Sequence, residues 1–169
     1  MPLTGSDYLL RLAALSLSMV GFAAIVLTLR RAMGGELSGL HMLLVRLFIE
    51  DGFAVTVFAL FPSALSLTPL ASSEIWRLSS AAAGLGFAIY LVSLFRRRRR
   101  VLAEPLPRRT AINFAVSTLA TVALCLNAVG LPYPPNAATY ALTLTWFFVM
   151  GVWVFLRNLE GFIQLPPPG

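Results

Sequence analysis

From Leu12 to Leu29 the chain runs without a charged residue. A run of that length rules out most soluble folds, because it matches the roughly 20 apolar residues a helix needs to cross a bilayer core. Comparable blocks recur, and the chain divides into spans at about residues 8–29, 38–61, 75–95, 110–129 and 137–156. The blocks are too long and too continuous for barrel strands, which are about ten residues of alternating polarity, and their Leu and Ala favour helix. The expected fold is an all-α integral membrane protein, one domain built as a bundle of five transmembrane helices. Composition agrees: 58% of residues are hydrophobic and 12% charged, whereas soluble domains carry about 25% charged residues.

The first block does not read as a cleaved signal. A signal peptide has a basic start and a core of about 7–15 residues, but here Asp7 precedes the core, Arg11 is the one early cation and the core is longer. It is expected to remain as a helix.

Orientation follows from arginine. All 13 basic residues are Arg. With the boundaries above, Arg30, Arg31, Arg96, Arg97, Arg98, Arg99, Arg100, Arg108, Arg109 and Arg157 fall on one side, and Arg11 and Arg77 on the other. Positive charge favours the cytoplasm, so the amino terminus is expected outside and the carboxyl terminus inside. The Lys-free, Arg-rich and Ala/Leu-rich usage points to a bacterial inner membrane. The run Arg96–Arg100 reads as this topology signal and as a contact for anionic lipid headgroups, not as a nucleic-acid site.

The second block breaks the pattern. Gly39 to Phe61 is long enough to cross, yet contains Arg46, Glu50 and Asp51, and the other blocks are read as its packing partners. One tilted helix over 38–61 would place Glu50 near mid-depth. Alternatively, Asp51-Gly52 breaks the block and 52–73 crosses, although Pro62 and Pro69 would then lie inside a helix. Four residues apart, Arg46 and Glu50 share a helix face. Asp51 points about 100° away and needs its own partner, a water-filled cleft or a proton. An unpaired charge at the bilayer centre costs about 2.5–3.5 kcal/mol on insertion scales. The cluster is therefore an ion or proton path, a packing pin, or a group whose Arg46 reaches the interface. His41 lies on the opposite face from Glu50 and reads as solvated.

The fourth block carries a polar stripe. Thr110, Asn113, Ser117, Thr121 and Asn127 fall within about 120° of arc, and this face is expected to look onto the charged face of the second span. Small residues recur at Ser80, Gly84 and Ala88, and more loosely at Ala14, Ser18, Gly21 and Thr28, patterns that let helices approach closely. The fifth block is aromatic, with Tyr140 and Trp153 near its ends and Trp146 expected to pack or face lipid.

Several chemistries have no residues to perform them. Without lysine there is no Schiff base. Cys125 is the single cysteine and His41 the single histidine, so neither an intramolecular disulfide nor a metal-ligand spacing is present. No phosphate-loop, HExxH or CxxC motif occurs, and no cofactor or metal is expected. The functional expectation is a small transporter or channel-like protein, as a homo-oligomer or with a membrane partner subunit. The alternative is a non-catalytic scaffold or accessory subunit in which the charges form a packing pin.

Overall fold

A computed structural model describes Leu3 and residues 5–32, 39–101 and 108–163. Within them lie five helices and no strand: α1 (Ser6–Ala32), α2 (Gly39–Leu65), α3 (Ser72–Val101), α4 (Arg108–Val129) and α5 (Ala137–Ile163). Each is long and apolar enough to cross a membrane. Most of the segments between and after the expected spans, residues 33–38, 102–107 and 164–169, lie outside the described residues, as do the side chains of His41, Arg98 and Arg100.

The ends of the helices have local causes. Glu74 accepts a hydrogen bond from the backbone N–H of Ala71 (3.2 Å), half of a capping box at the start of α3. α4 stops at Gly130, whose φ of 84° allows the N–H of Leu131 to reach the Leu126 carbonyl at 2.9 Å, the closing bond of a Schellman motif. Asn136 caps α5 by accepting from the Thr139 N–H at 2.9 Å.

Two boundaries on α2 depart from expectation. The helix is unbroken through Asp51 and Gly52, which removes the alternative of a break there and a span over 52–73. It also continues past Pro62 to Leu65, beyond the end of the span expected over 38–61. Proline has no N–H, so the Phe58 carbonyl one turn back loses its helical donor. The Tyr140 hydroxyl of α5 replaces it, donating to the Phe58 carbonyl at 2.6 Å. Pro62 itself is fully buried.

Consecutive helices run antiparallel. Ser16 meets Gly52, Glu50 meets Arg97, and Ser80 meets Asn127. α1 touches α2 and α5; α4 touches α3 and α5. α5 touches all four others, so α1 to α4 form an arc and α5 lies in its hollow. The expectation that the other blocks pack on the second holds for α1, α3 and α5 and fails for α4, which α5 meets instead. Aromatic rings join α5 to α3: Phe147 stacks on Phe87 with centroids 3.8 Å apart, and Tyr140 packs on Trp76 at 5.7 Å. Trp146, expected to pack or face lipid, donates its indole N–H to Ser117 at 3.3 Å.

Candidate functional site

The charged cluster of α2 separates into two sites on two faces. On one face Arg46 Nε donates to Glu50 Oε1 at 2.8 Å, the i,i+4 pair read from the sequence. The spacing did not reveal Arg97. Its Nη1 reaches both Glu50 oxygens, at 3.0 and 2.8 Å, so one carboxylate is held between two guanidinium groups on α2 and α3. Arg97 is the last residue of the apolar stretch of α3, and the Arg46 side chain is 67% exposed. These facts place Glu50 toward the arginine-rich end of the bundle. The reason is geometric: α3 is longer than its uncharged core, and its first terminal arginines are still helical.

On the other face Asp51 is 7% exposed and points at α5. A Cβ placed on Gly151 would lie 2.5 Å from Asp51 Oδ2, so the carboxylate rests directly against the α5 backbone. Among the described residues it forms no hydrogen bond or ion pair. Beside it the Gly52 carbonyl accepts from Ser16 Oγ of α1 at 2.9 Å and from Thr56 Oγ1 at 2.8 Å. A Cβ on Gly52 would collide with the Val20 side chain, so glycine is what allows α1 and α2 to close here. Ser16, Met19, Phe48, Phe148 and Gly151 enclose, with Asp51 and Gly52, a cavity in which about 10 Å³ is open to the centre of a water molecule. That is about enough for one water.

Apolar layers lie above and below this cavity. Toward the arginine-rich end, Phe48 stacks on Phe155 at 4.7 Å and Phe22 meets Phe155 edge-on at 6.2 Å. Toward the opposite end lies the main core, including Val55, Ala59, Leu144 and Phe147.

The polar stripe of α4 does not face α2; the two helices make no contact among the described residues. Two of its members, Ser117 and Asn127, join α4 to α5 and α3 instead. Asn127 Nδ2 donates to Ser80 Oγ at 2.7 Å and to the Asn136 carbonyl at 3.2 Å, while its Oδ1 accepts from the Asn136 N–H at 3.1 Å. One buried amide therefore ties α3, α4 and the cap of α5. Ser117 receives Trp146, and Thr121 donates to the Ser117 carbonyl. Asn113 is half-buried on the same helix.

The small residues also divide. Ser80 and Gly84 face α4, and a Cβ on Gly84 would lie 3.1 Å from Cys125 Sγ. Ala14, Ser18, Gly21 and Thr28 are exposed on α1, and a Cβ on Gly21 would have nothing within 4 Å. The close approach of α1 comes from Gly52, which the spacing within α1 could not reveal.

Among the described residues no group of three or more His, Cys, Asp or Glu side chains is placed to hold a metal ion. No protein-family model matches the chain, and no curated protein and no solved structure is detectably similar to it.

Proposed function

We propose that this chain is a multi-pass protein of a bacterial inner membrane, amino terminus outside, that moves protons by way of Asp51. The observation that carries this reading is a carboxylate buried at the junction of α1, α2 and α5, without a hydrogen-bond or ion-pair partner among the described residues and next to space for one water. A carboxylate in such a place needs a proton or a cation to offset its charge, and intramembrane ionisable groups are functional candidates by default. The cavity is too small for an organic solute, which narrows the transport class to the proton. The arginine asymmetry supports the orientation, and the pairing of Glu50 with Arg97 agrees with it by joining the start of α2 to the basic end of α3.

Purified protein in liposomes loaded with a pH-sensitive dye, under an imposed potassium diffusion potential, tests this. Wild type should acidify or alkalinise the lumen faster than empty vesicles. Asp51→Asn should return the rate to the empty-vesicle baseline with unchanged helicity and melting. A wild-type rate equal to the baseline, or an undiminished Asp51→Asn rate, refutes the reading.

A second reading has its own support. Glu50 bound by two arginines and Asn127 bound to α3 and α5 act as fastenings, which suits a scaffold or accessory subunit, alone as an oligomer or with another membrane protein. Under that reading Asp51→Asn leaves flux at zero in both forms, and Glu50→Gln weakens co-purification of the assembly.

A further inference from the structure

The Arg46–Glu50–Arg97 group leaves most of its hydrogen-bonding capacity unused. Each guanidinium carries five N–H donors. Glu50 engages only Nε of Arg46 and only Nη1 of Arg97. The other nitrogens of both side chains have no partner among the described residues. The side chains are 67% and 39% exposed, so those donors are open to the surroundings. One carboxylate between two guanidinium groups leaves a net positive charge, and it holds the two cations near each other, where mutual repulsion would otherwise separate them.

We propose that Arg46 and Arg97, held by Glu50, form a binding site for a phosphate-bearing anion at the arginine-rich end of the α2–α3 groove. The planar fork of guanidinium suits phosphate oxygens, which it can grip with two parallel bonds. Position favours a lipid as the source. Arg97 closes the apolar stretch of α3 and Val45, beside Arg46, opens that of α2, so the free donors stand where the apolar surface of the bundle ends. Arg96 and Arg99 add positive charge nearby. Arg99 is placed differently, over the Phe95 ring with its guanidinium carbon 4.4 Å from the centroid, and Phe95 packs on Phe114 of α4. It therefore serves the α3–α4 side and is a control within the same basic run. The inference is independent of proton movement through Asp51, which lies about 100° around α2 and faces α5.

Native mass spectrometry of the detergent-solubilised full chain tests it, with phosphatidylglycerol, phosphatidylcholine or inorganic phosphate added separately. Wild type should retain phosphatidylglycerol in preference to phosphatidylcholine. Arg46→Gln should weaken that retention by about fivefold, the effect of one basic residue near a charged surface, and Arg46→Lys by less. Arg99→Gln should weaken it less than Arg46→Gln. Arg46→Gln leaves the Arg97–Glu50 bond in place, and an unchanged melting temperature verifies that the fold persists. Inorganic phosphate bound with the same dependence on Arg46, and displacing phosphatidylglycerol, would support the site with a soluble anion as its ligand; lipid retained against excess phosphate would support it with the headgroup as ligand. Equal retention of the two lipids together with no phosphate binding, or an Arg46→Gln effect no larger than that of Arg99→Gln, would overturn it.

Discussion

Replacing Tyr140 with Phe isolates one hydrogen bond whose necessity was created by a proline. In the wild type the Phe58 carbonyl has lost its helical donor to Pro62 and depends on the Tyr140 hydroxyl, 2.6 Å away. Tyr140→Phe removes this donor and leaves the part-buried Phe58 carbonyl facing an apolar ring. The cost of an unsatisfied buried group is about 1–3 kcal/mol, while hydrogen bonds in membrane bundles average about 0.6 and reach about 1.7 kcal/mol. The expected loss is therefore about 1–2 kcal/mol. Pro62→Ala restores the N–H and with it the helical bond to the Phe58 carbonyl. In that background Tyr140→Phe should cost less than about 0.5 kcal/mol, since the carbonyl retains one partner. The coupling between the two positions is thus expected at about 1 kcal/mol. Reversible unfolding in mixed micelles, titrated with a denaturing detergent, measures all four proteins of the cycle. Equal costs of Tyr140→Phe in both backgrounds would show that the hydroxyl does not substitute for the missing N–H.

Other substitutions test separate junctions. Gly52→Val drives a side chain into Val20 and should destabilise the bundle by about 1–3 kcal/mol, read by the same titration, with loss of any cross-link engineered between α1 and α2. Glu50→Gln should cost about 1 kcal/mol or less, because its partners are well exposed; a loss above about 3 kcal/mol would return the group to mid-membrane. Asn127→Ala removes the tie between α3, α4 and the cap of α5 and should cost about 1–3 kcal/mol, with hydrogen exchange rising first around residues 127–139. Gly151→Ala crowds Asp51 Oδ2 and should slow proton flux while leaving the carboxylate present; an unchanged rate would separate Asp51 from its α5 wall.

The five helices were legible because each apolar block is bounded by arginine, proline or glycine, and these boundaries agree with the structure to within a few residues at most ends. The pair Arg46–Glu50 was legible because it lies within one helix, where spacing alone determines neighbours. Partners on other helices were not. Periodicity shows that α4 has a polar face, but not which helix meets it, since that depends on the rotation and order of helices around α5. Arg97 was hidden among five identical residues, whose shared role as a topology signal gave no reason to single out one. Pro62 misled in a different way. A proline usually ends a helix, and only a hydroxyl 78 positions further along the chain (Tyr140) lets this helix continue. The exposed small residues of α1 show the converse error: a row that permits close approach need not receive it, when a single glycine on the neighbour suffices.

The position of α5 in the hollow of the arc has a consequence for biogenesis. A chain made from its amino terminus completes α1 and α2 long before α5. Ser16 and Gly52 can meet at once, but Phe148 and Gly151, which close the third side of Asp51, emerge only with α5. Throughout synthesis the carboxylate therefore stands at an unfinished surface, and truncation before α5 leaves it there permanently. Burial of Asp51 thus reports that α5 has docked against α1 and α2: a chain that has buried it has closed this junction, and a chain that has not keeps the carboxylate on an open face.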